Sequence, residues 1–234
     1  MPDKRPKKPS QKPASEFPDA LTLFKPSWQA LRLNLGTFLL QSLLPVGLGV
    51  VTALLVGAYN RAPSDGQAVV ATLAFFATFV AALFMFVTLI VTQFKSAQGH
   101  KIGMRSVIHT TRPFFWRLLG LFLLTGLITV VGFVLLVVPG MFALQRLLLA
   151  PYFLVDKNLG IIESMKQSYA TAKNKSFASA LWGVTWVIVA INLLSFIPSI
   201  VTMTVSTILM ILYICAPAIR YVQIAKHAST AVKA

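Results

Sequence analysis

Four apolar tracts organise the chain: Leu35–Tyr59, Gln67–Phe94, Leu118–Val155 and Phe177–Ile219. None carries a charge except the third, which holds Arg146. A membrane-crossing helix needs about 20 residues, so the first two tracts predict one crossing each and the last two predict two each. Each long tract has a breaker near its middle, Pro139-Gly140 and Pro198-Ser199. Proline lacks a backbone donor and turns the preceding residue away from helix. The pattern predicts crossings over 35–59, 67–94, 118–138, 141–155, 177–197 and 200–219. The fourth is short, and whether 141–155 crosses completely is left open. The expected fold class is an all-α polytopic membrane bundle of about six transmembrane helices in three hairpins.

The polar segments between these tracts have patterns of their own. Residues 1–20 read as a disordered basic tail, where Pro2, Pro6, Pro9, Pro13 and Pro18 alternate with Lys and Arg. Residues 21–227 form the membrane domain, and 228–234 a short C-terminal tail. Pro26, Trp28, Leu31 and Leu35 predict a short interfacial helix ahead of the first crossing. In 95–117, Ile102, Val107, Ile108 and Thr111 trace one helical face, with Lys101, Arg105 and Arg112 turned to water or headgroups. Pro113 should end that helix. In 156–176, Ile161, Ile162, Met165, Tyr169 and Ala172 recur at helical spacing, with Lys166 and Lys173 on the polar side. Both read as amphipathic helices on the membrane surface. Residues match between the two loops at an offset of 61 (Gly99 with Gly160, Met104 with Met165), which suggests a repeated unit of hairpin plus amphipathic helix, truncated at Tyr221–His227 after the third hairpin.

Charge fixes the expected orientation. Nineteen of the 21 Lys and Arg residues fall in 1–34, 95–117, 156–176 and 220–234. With six crossings all four segments share one side, and Lys- and Arg-rich segments near crossings stay cytoplasmic. Both termini are expected inside. Charged residues are 12% of the chain and hydrophobic ones 56%, with mean hydropathy +0.76, far from the roughly 25% charge of soluble domains. The net charge of +15 is what this topology requires, so nucleic acid is not the expected partner. Anionic lipid is, at about 1 kcal/mol per nearby cation. An acidic protein or a second copy of the chain is the other partner considered. No cleavable signal peptide is expected, since the first apolar tract starts at residue 35 and is too long. Cys215 lies within the last crossing and reads as a small apolar filler.

A few positions stand out. Arg146 is five residues into the fourth crossing, where a charge is expensive. Pro151 leaves the carbonyl of Leu147 without its helical partner, so the guanidinium could cap freed carbonyls, bind a lipid phosphate or reach the outer headgroups. Pro45, with Gly47 and Gly49, should kink or loosen the first crossing, with close helix packing at the glycines, and Pro217 should kink the sixth. Asn192 and Gln41 are candidates for hydrogen bonds between helices.

The chemistry of a catalytic site is hard to find. The six acids are Asp3, Glu16, Asp19, Asp65, Asp156 and Glu163, and none falls within a crossing, which disfavours proton-coupled pumping and paired-carboxylate catalysis. His100, His109 and His227 lack metal-ligand spacing. No phosphate-binding or dinucleotide fingerprint occurs, and no nucleophile motif is visible. No metal, cofactor or catalytic residue is assigned, and no enzyme is expected.

The stretch Val138–Phe177, VPGMFALQRLLLAPYFLVDKNLGIIESMKQSYATAKNKSF, combines Pro139-Gly140, Arg146, Pro151, Asp156, Gly160 and Ser168-x-x-x-x-Lys173. It resembles a group of bacterial six-span inner-membrane proteins of unknown function, related to the membrane domain fused to some glycerophosphodiester phosphodiesterases. In those fused enzymes catalysis belongs to a separate soluble domain. The resemblance implies a membrane module in the bacterial cytoplasmic membrane. The expected role is a non-enzymatic scaffold or lipid-interacting module, and the alternative is a transporter or channel for an anionic or lipid-like substrate.

Overall fold

The structure is a computed structural model that describes residues 17–61, 65–194, 197 and 200–233. All regular elements among these are helical. Six helical runs are long and apolar enough to cross a membrane: Leu35–Asn60, Asp65–Ala97, Met104–Leu135, Val138–Lys157, Phe177–Leu194 and Thr204–Thr230. This is the architecture of a multi-pass membrane protein, as the apolar tracts predict. Pro198-Ser199 lies outside the described residues.

The first hairpin pairs α2 (Leu35–Arg61) with α3 (Asp65–Ala97) through a ladder of polar side chains. The Gln41 amide donates to the hydroxyls of Thr88 (3.1 Å) and Thr92 (2.9 Å), and the Thr52 and Thr78 hydroxyls meet at 2.8 Å. Lipid offers no competing partners, so such bonds hold helices together. One expectation, close packing at the glycines, fails here. α2 runs unbroken across Pro45. Gly47 and Gly49 face open space rather than a packed neighbour.

The second hairpin joins α5 (Phe115–Leu135) to α6 (Val137–Leu147). The turn is at Leu136, which is extended, and not at Pro139-Gly140. Both of those residues sit in the first turn of α6, where a proline's missing donor is harmless. The glycine is needed for approach: a Cβ on Gly132 would stand 2.9 Å from Gly140 Cα, so the two backbones touch just past the turn. The descending run then breaks at Leu148-Leu149 and resumes as α7 (Ala150–Lys157), with Pro151 in its first turn.

The third hairpin repeats this plan. α9 (Lys175–Leu194) is followed by α10 (Ile200–Tyr213), a break at Ile214-Cys215 and α11 (Ala216–Lys233). Pro217 holds the place after this break that Pro151 holds after the first, so the expected kink is present. α11 stays helical to Lys233, through the expected truncated helix and C-terminal tail.

Three shorter helices sit at the basic end: α1 (Phe24–Leu33, after a 3-10 turn at Ala20–Leu23), α4 (Met104–Thr111) and α8 (Ile161–Lys173). Each packs against a descending run, α4 on α3, α8 on α6 and α7, and α1 on α10 and α11. The order hairpin then basic-end helix thus occurs twice, and its helices align in a different register from the sequence match. Gly103 and Gly160 are the N-caps of α4 and α8, and from that alignment Val107 matches Ser164 and Thr111 matches Ser168, all buried. Gly99, by contrast, has φ +81, a turn conformation that Gly160 does not share.

α1 keeps Trp28 and Arg32 exposed, as an interfacial helix would, and docks its other face on the bundle. Ser27, Ala30 and Leu31 are buried, and the Ser27 hydroxyl accepts the Cys215 N–H (3.1 Å) at the break before α11. Tyr213 donates to the Ala20 carbonyl (2.9 Å), and Arg220 to the Pro18 carbonyl (2.9 Å). Phe17 is buried against Phe177 and His227. Residues 17–20, placed by the sequence in the tail, are thus part of the bundle, while residues 1–16 lie outside the described residues.

Asn34 closes the basic end of the first hairpin. Its amide donates to Ser96 Oγ and the His100 carbonyl, both at 2.8 Å, and accepts the Ile102 N–H at 2.7 Å. Replacing Asn34 by Ala strands several of these groups, and we expect a loss of about 1–3 kcal/mol in reversible unfolding in mixed detergent. Thr52→Ala, which removes an ordinary interhelical bond, should cost about 0.6 kcal/mol. Equal losses would contradict the pinning role of Asn34.

Candidate functional site

The break before Pro151 frees backbone groups inside the bundle, and α8 supplies a partner. The Ser168 hydroxyl donates to the Arg146 carbonyl at 2.6 Å. Ser27 does the equivalent work at the other break, accepting from Cys215. The carbonyl capped by Ser168 is one residue before that of Leu147, the one Pro151 leaves without a helical donor. Ser168 can come so close because α8 packs through its small residues, Ser164, Ser168 and Ala172, spaced four apart on one face. Of the apolar positions that the sequence places on one face, Ala172 is buried, Ile161 and Met165 are half-buried, and Ile162 and Tyr169 are exposed. Short side chains let backbones approach, and in lipid the larger apolar ones need no burial.

This placement of α8 builds a groove. Ile128 of α5, Phe142, Ala143 and Leu147 of α6, and Ile162 and Met165 of α8 line an open cleft of about 500 Å³ with Arg146, Lys166 and Tyr169. No lining residue is acidic. Ile128, Phe142, Ile162 and Tyr169 are exposed, so the cleft opens sideways, toward lipid. Arg146 is ten residues past the Leu136 turn, about 15 Å along the helix. Its guanidinium lies 4.5 Å from the centre of the Tyr169 ring and 5.8 Å from that of Phe142. Ring faces offset part of the cation's desolvation while leaving its N–H donors free for an acceptor in the cleft. The arrangement suits an amphiphile with an anionic head and an apolar chain.

The other predicted positions distribute as follows. Lys101, Arg105, Arg112, Lys166 and Lys173 are all exposed at the basic end, and only Lys166 joins Arg146. Arg112 lines a separate, apolar cleft between α3 and the start of α5, beside Phe115 and Trp116. Pro139, Gly140 and Pro151 shape the path of α6 and α7, whereas Pro45 and Pro217 are in other hairpins. Asn192 is exposed and its amide bonds the Ile188 carbonyl of its own helix (2.8 Å), so it does not join two helices.

Sequence reasoning missed the roles of three residues. Ser168 was hidden by the stronger apolar periodicity beside it, although the Ser164–Ser168–Ala172 stripe was readable. Tyr169 was placed on the apolar face without its ring contact to Arg146. Arg220 was counted among the surface cations, yet it is fully buried, donating to the Pro18 carbonyl and to Gln223 Oε1 (3.1 Å) under the Phe17 ring. Nothing local distinguishes it, because the segment that buries it is 200 residues away in the chain.

Residues 64–224 match the family described as Uncharacterised protein family (UPF0259). This is more than half of the chain, and the chain belongs to that family. No solved structure matches it.

If the ring faces hold Arg146 in place, Tyr169→Phe should leave stability unchanged, because the π face remains. Tyr169→Leu should lower it by about 0.5–2 kcal/mol in the same detergent unfolding measurement. Losses of the same size in both variants would assign the effect to the hydroxyl instead.

Proposed function

We propose that this protein is a non-enzymatic module of the bacterial cytoplasmic membrane that holds an anionic lipid in the Arg146 groove, with both termini cytoplasmic. The carrying observation is the groove itself: an apolar, laterally open cleft with two cations and no acid. A cation set this deep in apolar surroundings is normally retained for a role. Support for the orientation comes from the sequence positions of the four basic segments, which even-numbered crossings assign to one side and which suit the cytoplasmic leaflet, where anionic headgroups attract them. The likeness of Val138–Phe177 to the membrane domain fused to some glycerophosphodiester phosphodiesterases belongs to this proposal, since it too points to a module without its own catalytic centre. The basic end is suited to an acidic protein or a second copy of the chain as scaffold partner.

A second reading, transport of an anionic or lipid-like substrate, is favoured by the two descending runs broken ahead of Pro151 and Pro217. Breaks of this kind occur where transporters bind substrate.

Lipid extraction and native mass spectrometry of the protein purified in mild detergent separate these readings. Wild type should retain an anionic phospholipid, and Arg146→Gln should retain about ten-fold less, the loss expected from one charged hydrogen-bond donor. Lys173→Gln, outside the groove, should match wild type. Equal retention by Arg146→Gln and wild type would overturn the lipid site. Movement of the bound lipid between leaflets of reconstituted vesicles, abolished in Arg146→Gln, would favour transport.

A further inference from the structure

A second cleft, on other elements than the Arg146 groove, carries an acid as well as a cation. It lies between the end of α3, the end of α7 and the outer half of α11, encloses about 400 Å³, and is lined in part by Gln98, His100, Asp156, Tyr221, Lys226 and Ser229. Asp156 is the one acid among its lining residues. Its carboxylate is positioned from below: the Tyr221 hydroxyl donates to Oδ2 at 2.6 Å. Tyr221 is itself 1% exposed and clamped by the rings of Phe153 (4.9 Å), Phe94 (5.8 Å) and Tyr152 (5.9 Å). The neighbouring cation, Lys157, is turned away, over the Phe153 ring (5.1 Å) and onto Gln167 Oε1 (3.1 Å), so it does not neutralise Asp156.

An ammonium group is repelled from nearly all of this cationic end, and here it meets a fixed carboxylate. An anion is attracted to the same cleft by Lys226, five residues beyond Tyr221 on α11, about 7.5 Å along the helix. Gln98 and Ser229 offer further polar contacts. The volume falls within the range of small-molecule sites, about 300–1,000 Å³. We propose that this cleft binds a zwitterion that carries a primary ammonium and a phosphate group, the ammonium on Asp156 and the phosphate on Lys226. A phosphoethanolamine lipid headgroup and free phosphoethanolamine share that chemistry. The site stands on other residues than the Arg146 groove, and neither requires the other.

The test uses the full chain in lipid nanodiscs and in detergent. In nanodiscs of phosphatidylglycerol doped with phosphatidylethanolamine, wild type should enrich the latter around itself, as read by native mass spectrometry of ejected lipids. In detergent, soluble phosphoethanolamine is titrated calorimetrically. Binding in the first arm alone assigns the ligand to the bilayer, and binding in the second assigns a soluble molecule. In whichever arm binds, Asp156→Asn and Lys226→Gln should each weaken binding about ten-fold, and Arg146→Gln should change nothing. Lys226 is exposed, so its variant folds whatever Asp156→Asn does. No binding by wild type in either arm, or undiminished binding by Lys226→Gln, overturns the proposal. So does an Asp156→Asn variant that loses stability but keeps its affinity, because Asp156 would then serve only to tie α7 to α11.

Discussion

A polar group without a partner in hydrocarbon is penalised by several kcal/mol, and that constraint acts on this molecule at two scales. Along the sequence it sorts charge, so nearly all Lys and Arg fall in the four segments between the apolar tracts. Within the helices it acts wherever the backbone is interrupted. The runs ahead of Pro151 and Pro217 lose part of their hydrogen-bond ladder, and each draws a serine hydroxyl from a neighbouring basic-end helix. Those hydroxyls fix where α1 and α8 sit. α8, seated through Ser168, leaves Ile162, Met165 and Tyr169 outward and so forms the groove around Arg146.

The same constraint explains how the two descending runs come to resemble one another while differing in use. In one, the interrupted helix has a partly exposed arginine cradled by rings and open to lipid. In the other, α11 carries a fully buried arginine spent on the main chain of Pro18, which fastens the N-terminal segment into the bundle. One cation is left with free donors and the other has been turned to architecture. The buried charge is tolerated there because carbonyl, amide, ring and the nearby Asp19 carboxylate share its field.

Much of this was legible in the sequence. Length and apolarity gave the crossings, since each is a property of about 20 consecutive residues and is insensitive to detail. The Pro217 break and the hydrogen-bonding role of Gln41 followed from local chemistry. What was not legible depended on how elements meet. Periodicity marks the apolar face of α8, but not the stripe of small residues, Ser164, Ser168 and Ala172, through which it packs on the bundle. Pro139 looked like a turn because a breaker and a helix start share the same residue. Arg220 and Phe17 needed the far end of the chain. The groove was half visible, as Arg146 alone, and its aromatic cradle was not.

The central claim, that one membrane face collects every basic segment, is tested most directly by thiol labelling in intact cells. Single cysteines at Lys101, Lys166 and Lys226 in a Cys215→Ala background are compared with one at Asp65. The account predicts that a membrane-impermeant reagent labels the cysteine at 65 in intact cells and reaches the other three only after the membrane is opened. Labelling of 101 and 166 from opposite sides would contradict it.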